Sequence, residues 1–280
     1  MTEALLAFEP QVRLLVFAAV FAVMAVWEFA APRRSQVIGR AGRWPSNVAV
    51  VVLDTAFVRV LFPTSAVGLA MLAESRGWGL LNAWQVSAWL AVPLAIIFLD
   101  LVIYVQHALF HSIPVLWRLH RMHHADLEFD VTTGTRFHPI EILLSMGIKL
   151  VIVAALGVPA VAVLVFEVLL NATAMFNHSN VRLPSGLDRM LRWIVVTPDM
   201  HRVHHSILKA ETNSNFGFNL PWWDRLFGTY RDQPEAGHDA MIFGIEDFRD
   251  PGEQRLDLML TQPFRNATGR NLLGKREAAE

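Results

Sequence analysis

The sequence predicts an all-α integral membrane protein: a helical bundle of about three spanning helices plus a membrane hairpin, carrying a helical, histidine-rich cap on the cytoplasmic side. Three observations predict it. Of 280 residues 54% are hydrophobic and only 18% charged, with a mean hydropathy of +0.37, well away from the balance of a water-soluble domain. The apolar residues are gathered into runs long enough to cross a bilayer at about 1.5 Å of helix per residue. Ten of the eleven histidines fall between His107 and His205, at and beyond the ends of those runs.

The first run extends from about Val12 to Ala31. Arg33, Arg34, Arg40 and Arg43 follow it instead of preceding it, so it reads as a retained membrane helix rather than a signal peptide, with its N-terminus outside and the arginines in the cytoplasm. A second span, about Asn47 to Leu72, carries Asp54 and Arg59, charges expected to pair or snorkel within the bundle. After a turn around Gly77 and Gly79, a third span from about Trp84 to Tyr104 brings the chain back to the cytoplasmic side at His107. From Ile140 to Met175 the chain is apolar again, and Gly157 and Pro159 divide it into a hairpin whose ends return to one face. Lys149, Glu167 and Asn171 lie inside it and are expected as packing partners, although Glu167, Asn171 and His178 keep helical spacing. The division that results is 1–106 for membrane helices, 107–240 for the histidine-box region with its hairpin at about 140–177, and 241–280 for a polar tail, loosely ordered from Asn271 onward.

Eight histidines form three clusters: His107-Ala-Leu-Phe-His111, His120-Arg-Met-His123-His124 and His201-Arg-Val-His204-His205. Residues three or four apart share a helix face, so each cluster can aim its imidazoles together, and neutral imidazole ligates iron, zinc, copper and nickel. At this histidine content roughly 0.02 copies of HxxHH are expected by chance, so two copies plus an HxxxH are not noise. Asp100, Tyr104, His107 and His111 form one stripe on the third span; Asp100 either orients a ligating imidazole or is solvated at the interface. Ser112 and Pro114 start a new helix for the second cluster, where Trp117, Arg118 and Arg121 suit interfacial anchoring. His138, in Arg136-Phe-His-Pro-Ile-Glu141, is expected as a ligand or an outer partner, with Pro139 and Glu141 as helix-start chemistry. Thr197-Pro-Asp199 opens a helix for the third cluster. Trp222 and Trp223 read as interfacial anchors, and His238, alone in a polar loop, is left outside the site.

The net charge of −1 offers no footprint for nucleic acid. The absence of cysteine excludes disulfides, iron–sulfur clusters, thiolate zinc sites and a cysteine nucleophile. Nine or ten gathered imidazoles exceed a single catalytic zinc, which takes three protein ligands, and fit two metals. Carboxylate-bridged hydrolytic pairs would interleave acids with the histidines, and these clusters hold almost none. An all-nitrogen pair of redox-active metals, iron first among them, fits reduction of dioxygen and attack on an unactivated C–H bond. A membrane setting makes the substrate a lipid or another hydrophobic molecule.

The order HxxxH, HxxHH and a distant HxxHH, flanked by Val131-Thr-Thr-Gly-Thr-Arg-Phe-His-Pro-Ile-Glu141, Phe176-Asn-His-Ser-Asn-Val-Arg-Leu-Pro184 and Val196-Thr-Pro-Asp-Met-His-Arg-Val-His-His-Ser206, resembles the fatty acid hydroxylase superfamily and, within it, the bacterial sterol desaturase-type branch. The likeness covers roughly Asp100 to Tyr230 and continues more weakly to about Pro263. It implies a membrane-embedded diiron enzyme that hydroxylates or desaturates a lipid, with O₂ as co-substrate. Its two iron ions would be held by His107, His111, His120, His123, His124, His201, His204 and His205, with His178 and His138 completing the set. It also implies electrons from a separate donor, a ferredoxin or a cytochrome b5-like protein with its reductase, because no fused cytochrome b5-like segment is evident. One departure is the alanine after His107, where the family pattern has arginine. A zinc-dependent membrane hydrolase and a non-catalytic lipid-binding protein stay open as alternatives from the residues alone.

Overall fold

The computed structural model describes residues 2–266; the tail expected from Asn271 onward lies outside them. Among the described residues β pairing is limited to two isolated bridges, Pro32 with Val181 and Ser206 with Phe243, and everything else that is regular is helix. Five segments are long and apolar enough to span a membrane: Glu9–Ala30, Arg40–Ala83, Ala88–Ser112, Pro139–Leu156 and Ala160–Asn177. Three single spans and a two-helix hairpin require the same five. The principal helices are α1 (Glu9–Ala30), α2 (Arg40–Leu61), α3 (Ala66–Arg76), α4 (Ala88–Ser112), α5 (Pro114–His124), α6 (Pro139–Leu156), α7 (Ala160–Asn177), α8 (Pro198–His204), α9 (Trp222–Phe227) and α10 (Leu256–Thr261).

The second span is broken rather than continuous. Pro63 stops α2, and Ser65 restarts the chain by accepting from the Gly68 amide at 3.0 Å, a serine N-cap. The break follows from what the first half of α2 does: Arg43, Asn47, Val50 and Asp54 are buried on the cap side, so α3 is needed to complete the crossing. Arg59 lies on the opposite, exposed face of α2, so Asp54 and Arg59 do not pair with each other, and the exposed Arg59 is the one free to snorkel.

α3 packs against both α6 and α7, and α4 packs against α7. Ala66, Ala70, Ala95, Ala160 and Ala162 form much of this core, small side chains that let helix backbones approach where lipid offers no hydrophobic drive of its own. The hairpin tip and the turn after α3 interlock. A Cβ on Gly79 would lie 2.0 Å from the Gly157 nitrogen, a Cβ on Gly157 would lie 2.3 Å from the Trp78 oxygen, and both residues have positive φ, so glycine is required on both sides. Leu14, Leu15, Val23, Val26 and Phe29 on α1 are exposed, a face that acyl chains would cover.

Inside the bundle, Glu167 binds Lys149 at 2.6 Å and Arg13 at 3.0 Å. These groups therefore join α7, α6 and α1 by ionic contact, and Asn171 turns back to the Glu167 carbonyl at 2.8 Å instead of extending a polar stripe toward the histidines.

The cap is fastened by buried charge. The Arg43 guanidinium donates to both carboxylate oxygens of Asp126 at 2.7 and 2.6 Å and to Asp130 at 2.6 Å, with all three side chains sealed from solvent. Glu28, at the end of α1, accepts from the amides of Val131 and Asn180 at 2.8 and 2.7 Å. Breaking such an interior pair by removing one partner costs roughly 3–5 kcal/mol.

The segment expected as a polar tail differs from that expectation over residues 251–265. Met259 is buried with Val50 and Met122, and Arg118 and Arg121 of α5 donate to the carbonyls of Pro263, Gln262 and Arg265 at 2.5–3.0 Å. The two arginines read as interfacial anchors thus clamp this segment beneath α5.

Candidate metal centre

Four helices meet above the membrane half of the bundle: the end of α4, α5, the end of α7 and α8. Pro114 and Pro198 sit in the first turns of α5 and α8, where a missing N–H costs nothing, and Thr197 caps α8 through the Met200 amide at 3.4 Å. The histidines they carry separate into two groups. His107, His111, His120, His124 and His204 form one; His123, His178, His201 and His205 form the other; within each, one donor atom per residue lies within 4.8 Å of every other.

The helical period explains this division. At about 100° per residue, positions i and i+4 diverge by about 40°, whereas i+3 and i+4 diverge by about 100°. In both HxxHH boxes the i, i+4 pair therefore serves one group and the i+3 histidine the other. His120 and His124 join the first group and His123 the second; His201 and His205 join the second and His204 the first. Each box thus stitches the two groups together.

The outer nitrogen of most imidazoles is already engaged. Nδ1 of His107 faces the Phe216 carbonyl at 2.8 Å, that of His204 the Ser214 carbonyl at 2.7 Å, that of His178 the Ala174 carbonyl at 2.7 Å, and that of His120 the Glu141 carboxylate at 2.7 Å. These acceptors assign the proton to Nδ1 and leave Nε2 with a lone pair. These Nε2 atoms, and those of His123 and His201, whose Nδ1 atoms are buried without a partner among the described residues, face one another. His107 and His120 stand at 3.1 Å, His204 and His107 at 3.0 Å, His201 and His178 at 3.0 Å, and His123 and His178 at 3.2 Å.

Burial keeps the rings neutral. It holds His120 and His178 down to about 3 and, with repulsion from neighbouring imidazoles, holds His123, His124, His201, His204 and His205 well below the ordinary range. Converging lone pairs with no proton between them repel, and a cation at their centre resolves the conflict. The spacing agrees: ligands about 2.1 Å from an ion and at right angles to each other would be about 3.0 Å apart, against about 3.4 Å for a tetrahedron. Five imidazoles in the first group also exceed the four ligands of a zinc tetrahedron.

His138 stands apart from both groups. Its Nδ1 accepts from the Ile140 amide at 3.2 Å and its Nε2 faces the Leu260 carbonyl at 3.1 Å, so it caps α6 and ties α10 to it. Glu141, expected as helix-start chemistry only, instead holds His120. Asp100 is buried rather than solvated; it accepts from the amides of Asn219 and Leu220 and from the Trp223 indole at 2.9–3.3 Å. It therefore orients the loop that carries the Phe216 carbonyl, one step behind His107, and Trp223 is a partner of Asp100 rather than a free interfacial anchor. His238 is buried beside Asp199, 3.9 Å away, outside both groups.

Residues 213–220 read as a loop in the sequence, but sequence reasoning missed their role: their backbone oxygens hold His107 and His204. The available signal was Asp224, in Trp-Trp-Asp-Arg, whose carboxylate accepts from the amides of Phe216 and Gly217 at 2.7 and 2.8 Å. A Cβ on Gly217 would lie 2.6 Å from that carboxylate, which is why the position is glycine. On the outer face of the cap a cavity of about 290 Å³ reaches His111, lined by Trp117, Arg121, Lys209, Asn213 and Asp247 among others.

The fatty acid hydroxylase family model matches residues 92–229, a stretch that contains all nine gathered histidines. The chain is 28% identical to ornithine lipid hydroxylase OlsE of Rhizobium tropici over 99% of its own length and 84% of that protein. It is 27% identical to alkylglycerol monooxygenase of Homo sapiens over 50% of this chain and 29% of the relative. It is also 27% identical to cholesterol 25-hydroxylase of Homo sapiens, over 47% and 48%. The chain thus spans under half the length of these two human relatives. No solved structure matches. The matched region, the near full-length bacterial likeness and the helical membrane architecture agree: residues 92–229 carry a fatty acid hydroxylase domain.

Proposed function

We propose that this protein is a membrane-bound diiron oxygenase that places one oxygen atom of O₂ into a C–H bond of a membrane lipid. The observation that carries the reading is the pair of buried, neutral, carboxylate-free histidine groups set side by side at the membrane end of the cap. His107, His111, His120, His124 and His204 would hold one iron, and His123, His178, His201 and His205 the other, with His138 left to its structural role. When bound, such an iron pair supplies the reduction of O₂ and the oxidising power to break an unactivated C–H bond.

The chain's own residues set the conditions for that chemistry. Carbonyls of Phe216, Ser214 and Ala174 and the Glu141 carboxylate fix the tautomer and direction of the imidazoles, which raises their basicity as ligands. In this reading helices up to residue 106 anchor the protein and residues 107–240 carry the reaction, and the arginines after α1 support a cap on the cytoplasmic side. The second oxygen atom leaves as water, which takes two electrons and two protons from a separate donor of the ferredoxin or cytochrome b5-like class. The names of the relatives, a lipid hydroxylase and two oxygen-inserting enzymes of other lipids, favour hydroxylation over desaturation.

The test is mass spectrometry of the lipids of expressing cells, with and without the gene, under ¹⁸O₂. The reading requires a lipid that gains one ¹⁸O. A protein that is filled with zinc, and that stays inert when reloaded with iron and supplied with a reductant, would overturn it.

A further inference from the structure

Among the described residues six aromatic rings surround the gathered histidines, and four of them touch one group only. Phe110, Trp117 and Phe216 contact rings of the first group, and Phe129 contacts rings of the second. Two rings differ. Phe137 stacks on His123 at 4.4 Å and 13° and on His120 at 6.1 Å and 29°, so it spans both groups. Phe218 lies 6.3 Å from His107 and 6.4 Å from both His178 and His201, so it spans them too. Among the described residues no other phenylalanine, tyrosine or tryptophan ring does.

Burial sets the same pair apart from the other three phenylalanines, although Trp117 is half-buried as well. Phe110, Phe129 and Phe216 are buried, at 1%, 1% and 6% exposure, whereas Phe137 and Phe218 are half-buried over imidazoles that are themselves sealed. Phe137 thus lays its face on the seam between the two groups and Phe218 meets it at a tilt, and each keeps part of its surface accessible. Both are rigidly mounted. Phe137 precedes the His138 cap of α6, and the Phe218 carbonyl accepts from Asn177 at 2.9 Å, next to His178. Phe218 also lies two residues beyond the carbonyl that orients His107.

We propose that Phe137 and Phe218 are positioning residues that hold a saturated alkyl chain across the seam and so select which of its carbons is oxidised. The inference rests on the oxygenase reading above. A carbon attacked by an oxidant formed between two groups must be presented where both groups meet, and an apolar wall there excludes water while favouring a hydrocarbon by contact. Reactivity at that carbon depends steeply on placement, about a hundredfold for an ångström.

The experiment uses the full chain in cells, with the cells' own lipid extract as the probe. It compares wild type with Phe137→Leu, Phe218→Leu and Phe218→Trp, and reads metal per chain, the carbon that carries the new oxygen, and O₂ consumed per product. The expected result is unchanged metal content, product spread over at least one neighbouring carbon, and a rise of tenfold or more in O₂ consumed per product. Phe129→Leu, which faces one group only, keeps the wild-type carbon. Unchanged carbon selection and coupling in all three variants would overturn the proposal while leaving the oxygenase reading intact. Loss of metal in both the leucine and the tryptophan forms would make the rings mere supports of the imidazoles and would also overturn it. A wild-type protein that oxygenates nothing defeats the oxygenase reading itself, and this inference with it.

Discussion

Among the described residues Glu141 is the one carboxylate hydrogen-bonded to a gathered imidazole, 2.7 Å from His120 Nδ1. Both partners are buried, at 5% and 2% exposure. Removing an outer-shell partner of a metal-bound histidine typically costs 10–100-fold in affinity or activity, which is about 1.4–2.7 kcal/mol. Glu141→Gln keeps an oxygen that can accept the Nδ1 proton, so it should sit at the mild end, near tenfold. Glu141→Ala removes the acceptor, strands a buried N–H and should approach a hundredfold. The assay is metal retained per chain across a chelator series, alongside turnover on the host lipids. Glu128→Gln is the control: Glu128 accepts from the amides of Val37 and Ile38 and touches no imidazole, so its loss should leave metal retention unchanged. If Glu141→Ala retained metal as wild type does, the claim that this carboxylate fixes His120 would fail.

Further outcomes follow from the same contacts. His138→Ala should keep the wild-type metal content and lose about 1 kcal/mol of stability as a helix cap, whereas His178→Ala should empty the second group; equal metal loss in both would contradict the separation. Burial raises Asp130, but Arg43 and the bonds from Thr132 and Gln36 outweigh it and bring its carboxyl to about 2, against 3.8 when unfolded. The folded value is depressed, so the stability it contributes is present above pH 4 and is lost as pH falls through about 2. Asp130→Asn should therefore be less stable by about 2 kcal/mol near neutrality, with the gap closing toward pH 2; a gap independent of pH would refute the ionic account. Gly157→Ala, at φ +66 against the Trp78 carbonyl, should cost more than about 1 kcal/mol and lower the melting temperature without changing metal content, because the tip lies a full 18-residue helix from the histidines.

Much of this was legible in the sequence because periodicity carries it. Apolar runs set the spans, Gly157 and Pro159 set the hairpin, and HxxxH and HxxHH put imidazoles on helix faces. The helical period divides each HxxHH box between two groups, but which pair joins which group, and where His107, His111 and His178 fall, was not legible, since it depends on how α4, α5, α7 and α8 converge in space. Backbone acceptors such as the carbonyls of Phe216 and Ser214 leave no side-chain signature, so the loop's part in orienting His107 and His204 was not legible. Glu141 looked like a helix-start residue because its position allows that role equally well. Arg43, Arg118 and Arg121 read as membrane-surface charges because long-range partners such as Asp126 and the carbonyl of Gln262 are over eighty residues away.

The central claim is that the nine imidazoles hold two ions, and the most direct measurement is the metal count per polypeptide in protein made with iron and purified without oxygen. Two irons per chain are predicted, falling to about one in His178→Ala. One ion per chain in the wild type, or zinc that iron cannot replace, would contradict it.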